Sequence, residues 1–269
     1  MSTGTNIFVH PLMASKKKAN IAWKILIGVA IASIVVMLGF RGYEWWLERK
    51  AHFTRYKAFG IEVPTNYAIH GIDVSKYQEV IDWNSVRAMN VEGVQIKFAF
   101  MKATEGNGDR DRYFKRNWKN SKDAGMPRGA YHFFIATKSG KTQAENFIKC
   151  VELQPGDLPP VLDVEQQYGV PAKKLRLRVK EWLETVENYY GVRPIIYTNV
   201  DFYEQVLKEE FDEYPLWVAH YLQKERPRIV RNWHFWQYSE EGRVNGIFYK
   251  VDFNVFNGDS TQFSNLLIN

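Results

Sequence analysis

Hydrophobic and polar positions divide the chain into two unlike parts. From Ile25 to Phe40 sixteen consecutive residues are apolar or small, and adding 21–24 extends the segment to twenty. A helix of that composition is apolar on every face and long enough to span a bilayer core. Residues 44–68 mix aromatic and charged side chains, with Pro64 near the end. From His70 onward the pattern alternates between two periods. Strand-like runs occupy Gly71–Val74, Val94–Ala103, Gly129–Phe134, Val161–Glu165, Pro194–Tyr197, Leu216–His220, His234–Tyr238 and Tyr249–Phe256. Helix-like runs lie between most of the earlier ones. Asp111–Ala124 stops at Gly125, a C-cap signal, and Ser139–Val151 opens on a residue suited to an N-cap. Ala172–Tyr190 follows Pro171 and repeats Leu175, Val179, Trp182, Val186 and Tyr189 at helical spacing. This alternation predicts an α/β fold, a β/α barrel with functional residues at the C-terminal ends of its strands. The expected organisation is a basic tail (1–20), a transmembrane segment (21–41), a linker (42–69) and one domain (70–269).

Charge sharpens the reading of the N-terminal part. Lys16, Lys17 and Lys18 precede the apolar run and no acid occurs before Glu44. That bias predicts an uncleaved single-pass signal anchor with the N-terminus in the cytoplasm and the domain on the periplasmic or extracellular side. A cleaved signal peptide fits less well, because the run is long and Gly39-Phe40-Arg41 is a poor cleavage site. The formal net charge is +6, yet residues 1–69 hold nine Lys/Arg against three Asp/Glu, which leaves 27 of each for residues 70–269. The domain carries no net basic charge, so no nucleic-acid partner is expected. The one cysteine, Cys150, falls in a helical pattern as a small buried hydrophobe.

Candidate chemistry gathers on acids in apolar runs. Val161-Leu162-Asp163-Val164-Glu165 carries two carboxylates two residues apart, which a strand places on one side about 6.6 Å apart along its axis. Like charges at that range resist ionising together, so one is pushed toward its neutral form. Glycosidic cleavage needs that division: one protonated carboxyl as acid and one carboxylate to meet the sugar cation. Asp73, in His70-Gly71-Ile72-Asp73-Val74-Ser75, and Asp252, in Val251-Asp252-Phe253-Asn254, place further acids in β-prone runs and suggest one shared pocket. Two other readings fit the same acids: a divalent-metal hydrolase binding Mg²⁺ or Ca²⁺, and a binding protein without turnover. His70, His220 and His234 lack metal-ligand spacing, and Ser139-Gly140-Lys141-Thr142 lacks the earlier glycine of a phosphate loop. No metal or cofactor is expected.

Eight segments in order make the pattern specific: Gly71-Ile72-Asp73-Val74-Ser75, Lys102-Ala103-Thr104-Glu105-Gly106, Gly129-Ala130-Tyr131-His132-Phe133, Asp163-Val164-Glu165, Ile196-Tyr197-Thr198-Asn199, Leu216-Trp217-Val218-Ala219, Trp236-Gln237-Tyr238 and Val251-Asp252-Phe253-Asn254-Val255-Phe256. Residues 70–256 resemble the family 25 glycoside hydrolases, the lysozymes (N-acetylmuramidases). The resemblance implies a flattened, irregular β/α barrel with fewer helices than strands. It implies cleavage of the β-1,4 bond between N-acetylmuramic acid and N-acetylglucosamine in peptidoglycan glycan strands. It also implies Glu165 as proton donor, Asp163 as second carboxylate, and Asp73 and Asp252 completing the acidic cluster. The N-terminal anchor is not part of the family's catalytic pattern. Tyr131, Tyr197, Trp217 and Trp236 are the aromatic candidates for the sugar groove. His132 alternates to the other side of its strand and is read as structural.

Overall fold

The computed structural model describes residues 12–48, 52–223 and 225–269. The chain forms two compact units, 1–50 and 51–269. In the first, helix α1 (Leu12–Glu48) contains Trp23–Trp46, a stretch long and apolar enough to cross a membrane. Its 24 residues rise about 36 Å at helical pitch, against a hydrocarbon core of about 30 Å.

The second unit begins earlier than its sequence pattern suggests. Residues 53–64, expected within a linker, form an antiparallel hairpin of β1 (Phe53–Tyr56) and β2 (Ile61–Pro64). Ile61 and Val63 alternate with exposed Glu62 and, with Phe59, join the core. The expected linker therefore overlaps a folded part of the domain.

Beyond it come β3 (His70–Val74), α2 (Trp83–Ala88), β4 (Asn90–Val91), β5 (Val94–Glu105), β6 (Asp109–Arg110), α3 (Phe114–Asp123), β7 (Arg128–Phe133), α4 (Gly140–Ile148) and β8 (Val161–Asp163). These are followed by α5 (Ala172–Tyr190), β9 (Ile195–Asn199), α6 (Val200–Phe202), β10 (Leu216–Ala219), β11 (Phe235–Gly242), β12 (Val251–Phe256) and α7 (Ser260–Leu266). Eight strands pair in the order β3, β12, β11, β10, β9, β8, β7, β5, and β5 pairs back to β3, closing a barrel. Neighbours are parallel except around β12, which is antiparallel to both β11 and β3.

Two packed layers hold the barrel. Its interior is filled by rings from alternate positions of distant strands: Phe100 of β5 stacks on Trp217 of β10 at 4.5 Å and meets Phe235 of β11 at 5.1 Å. Space for these rings comes from glycines on adjacent strands. A Cβ at Gly71 would lie 2.4 Å from the Phe98 ring, and one at Gly129 would lie 2.5 Å from Phe100. Outside, α5 buries Leu175, Val179, Trp182, Leu183 and Val186, the predicted face except for its last position, Tyr189, which is exposed at the helix end. Trp182 stacks on His132 at 5.8 Å, and His132 bonds to Thr104 and Gln143. Burial pulls the His132 pKa down to about 3, so this histidine is a neutral packing residue.

Candidate active site

The C-terminal ends of the parallel strands converge on a polar mouth above the aromatic interior. Along β8, Leu162 and Val164 pack into the outer layer, whereas Val161 joins the inner cluster and Asp163 takes the same side two residues later. The strand ends at Asp163, two residues short of its expected limit, although Val164 still donates to the Tyr197 carbonyl at 3.0 Å. Glu165 therefore stands on the loop just past the strand, half-buried, with Asp163 behind it only 7% exposed. Asp73 sits at the end of β3. Asp252 arrives differently: β12 runs backward, so its second residue faces Asp73 across the antiparallel pair.

Asp73 is densely bonded. Gln237 Nε2 and Asn254 Nδ2 each donate to its Oδ2 at 2.7 Å, and Asp252 hydrogen-bonds to it as well. Those amides are fixed in turn. Tyr197 and Tyr221 hydroxyls donate to Gln237 Oε1 at 2.7 and 2.5 Å, and Trp217 Nε1 donates to Asn254 Oδ1 at 2.8 Å. Burial and the adjacent Asp73 push Asp252 up to about 9, and burial raises Asp73 as well, so at neutral pH the pair keeps a proton between its two carboxyls.

Asp163 is bonded far less. Its Oδ1 is buried with no hydrogen-bond partner. Burial first, then the Glu165 charge, hold its pKa well above the ordinary carboxylate range. Burial and Asp73 also raise Glu165. The opposing influence is Lys102 of β5, whose ammonium lowers both groups, pairs with Glu105 at 2.7 Å and lies 4.5 Å above the Phe133 ring. Mutual influence among Asp73, Asp163, Glu165 and Asp252 places all four expected acids in one electrostatic cluster.

The expected aromatic contacts separate. Tyr131 is half-buried and lines a cleft with Asp73, Asp252, Tyr77 and Gln78. Tyr197 is spent on Gln237. Trp217 is 1% exposed and forms the floor, reaching the acids only through Asn254. Trp236 does not reach the mouth: it is fully buried on the outer face of β11 among Phe53, Tyr67, Trp233 and Tyr238, and its Nε1 donates to the His220 carbonyl. Period-two alternation forces this, since Gln237 takes the inner face. Gln237, Asn254, Lys102 and Tyr221 were not singled out from the sequence. Asn254 was detectable, lying two residues from Asp252 on the same side of a strand. Tyr168, exposed beside the mouth, is a further aromatic candidate: its hydroxyl senses Glu105, Glu165 and Asp163. Among the described residues no three His, Cys, Asp or Glu side chains are arranged to hold a metal ion.

Comparison with known proteins agrees with this geometry. Residues 72–247 match the family model described as glycosyl hydrolases family 25. The protein YegX of Escherichia coli (strain K12) is 49% identical over 210 residues, covering 77% of each chain. Lysozyme M1 of Streptomyces globisporus is 34% identical over 213 residues, covering 72% of this chain and 69% of the relative. A family 25 glycosyl hydrolase from Bacillus anthracis superposes with a TM-score of 0.68 at 32% identity, covering 80% of this chain and 100% of that structure. With its closed barrel, its acid-lined mouth and these relatives, the chain belongs to glycosyl hydrolase family 25.

Proposed function

We propose that this glycoside hydrolase is a lysozyme that cleaves the β-1,4 bond between N-acetylmuramic acid and N-acetylglucosamine in peptidoglycan, with Glu165 as proton donor and Asp163 as second carboxylate. The observation that carries the reading is the Asp163/Glu165 pair: two acids two residues apart at the end of β8, both raised by burial and each feeling the Asp73 charge, with one Asp163 oxygen buried and unbonded. The name of Lysozyme M1 supports the choice of polymer.

The pair works with one proton. Burial favours the proton on Asp163 in the empty site; in the reactive state it has passed to Glu165, which stands nearer to solvent, leaving the charge on Asp163 with Lys102 as the compensating cation. Glu165 gives its proton to the glycosidic oxygen as the bond to the anomeric carbon breaks. Asp163 stabilises the positive charge that develops on the sugar. Water then supplies the hydroxyl at the anomeric carbon, and its released proton restores Glu165. Asp73 and Asp252, with one proton between them, keep the wall of the site negative and orient the sugar. Tyr131 is the ring that offers it a face.

In this reading the helix through Trp23–Trp46 is a membrane anchor. Lys16–Lys18 hold the N-terminus in the cytoplasm, so the domain works outside it. Protease added to osmotically opened cells should reach the domain, and a soluble mature protein starting near residue 40 would instead show a cleaved signal.

The activity is tested by incubating the detergent-solubilised full chain with purified peptidoglycan, with and without EDTA, and reducing the products with borohydride. Reduced N-acetylmuramic acid, unaffected by the chelator, is the expected product. Reduced N-acetylglucosamine would make the enzyme a glucosaminidase, and an anhydro-muramic product a lytic transglycosylase. Loss of activity on chelation, restored by a divalent ion, would favour a metal hydrolase.

A further inference from the structure

The cleft at the acid cluster does not end there. Tyr77, Gln78 and Lys250 line both that cleft and a second one, whose remaining walls are Lys76, Glu79, Arg112 and Tyr249. The two are one groove that changes sign along its length. The inner stretch carries Asp73, Asp252, Glu240 and Glu241. The outer stretch carries Lys76, Arg112 and Lys250 against a single acid, Glu79. Lys250 is committed to Glu241, whereas Lys76 and Arg112 are exposed and form no ion pair among the described residues.

The outer stretch is built rather than incidental. Gln78 Oε1 accepts from Ser75 N at 2.9 Å, and Gln78 Nε2 donates to the Lys250 carbonyl at 2.7 Å. Lys76 N donates to Asp111 Oδ2 at 2.5 Å, and Asp111 also accepts from Tyr113 N. Three separate segments, after β3, before α3 and before β12, are thus tied together around the groove. Glu79 is held at φ +53, a conformation costly for a non-glycine residue, and its carbonyl accepts from Asn117.

A ligand that fits this groove is neutral where it meets the acids and anionic farther out. A glycan strand carrying acidic peptides has that distribution. We infer that the outer stretch, through Lys76 and Arg112, receives carboxylates of the peptide attached to the muramic-acid unit, so that the enzyme cleaves peptide-bearing strands in preference to bare glycan. The inference rests on the peptidoglycan reading above and specifies its substrate.

The test compares kcat/KM of the full-length chain in detergent on peptidoglycan strands bearing their peptides and on the same strands stripped by an amidase. The wild-type ratio should favour the peptide-bearing strands. It should fall roughly three- to tenfold in Lys76→Ala/Arg112→Ala, the scale of two exposed ion pairs. It should also fall toward one at about 0.5 M salt. The charge-keeping double variant Lys76→Arg/Arg112→Lys should retain the preference. A wild-type ratio of one, an unchanged ratio in the alanine variant, or loss of preference in the charge-keeping variant would overturn the inference. Product from neither substrate would overturn the hydrolase reading itself, a separate outcome.

Discussion

Two acid pairs face each other across the mouth of the barrel, and they are treated in opposite ways. Asp73 and Asp252 sit opposite one another on antiparallel strands and share a proton, and Asp73 is fixed by two amides that are themselves tied to Tyr197, Tyr221 and Trp217. Asp163 and Glu165 follow one another on one segment, and an oxygen of Asp163 is buried with nothing to bond. A fully bonded acid has little left to offer a substrate. An unsatisfied one raises the free energy of the empty site and leaves capacity for a charge that appears only during reaction. The contrast matches the proposed division of labour, in which the first pair orients the sugar and the second does the chemistry.

The sharpest break of that contrast is Glu165→Gln, which keeps shape and removes the transferable proton. Turnover should fall on the order of 100- to 10,000-fold with the melting temperature nearly unchanged. Near wild-type turnover would place the acid elsewhere. Next in size is Asn254→Ala, which strips one donor from Asp73 and leaves Trp217 Nε1 without its acceptor. It should cost about 2–4 kcal/mol of stability in denaturant titration, as expected for orphaned buried groups. A cost near zero would mean that the first pair is not fixed as described. Asp163→Asn should also lose activity, yet raise the melting temperature at pH 7 by roughly 2–6 °C, because it deletes a buried group whose ionisation the fold opposes. A lower melting temperature would show Asp163 to be satisfied.

The smallest effect is in pH dependence. Folding raises the Asp252 pKa from 3.8 to about 9, so over that interval the folded state binds the proton that the unfolded state has released. Its contribution is therefore complete below about pH 4 and declines as pH rises through about 9. Asp252→Asn should flatten the fall in melting temperature between pH 5 and 9 measured by calorimetry; an unchanged slope would assign that fall to other groups.

Much of this arrangement was legible in the chain, for physical reasons that also explain what was not. An acid inside an apolar strand is costly enough to stand out, so Asp73, Asp163, Glu165 and Asp252 all declared themselves. Neutral amides are less conspicuous, and Gln237 and Asn254 passed as parts of apolar runs, though period two places Asn254 beside Asp252. The same period decides between Trp236 and Gln237, neighbours that cannot share a face; aromatic character drew attention to the one that faces outward. Helix α5 emerged at its expected limits because nineteen residues repeat one stripe. Short elements lack such repetition: α2 has six residues and the strands of the β1–β2 hairpin four each, and they were missed. Direction was also hidden. Alternating β and α segments suggest strands that all run one way, whereas the last strand enters reversed and brings Asp252 to the mouth from its beginning.

That reversed strand has a consequence for the timing of synthesis. β3 is among the first barrel strands made and β12 is the last, yet they lie side by side, and β3 has only β5 beside it until β12 arrives. Both amides and the carboxyl that bond Asp73 are also on β11 and β12. A chain on the ribosome that lacks β12 is an open sheet with Asp73 unsupported, and its slow, long-range closure waits for that strand. The candidate site is thus withheld until β12 has been made, and a product truncated before β12 is an unclosed sheet rather than a weakened enzyme.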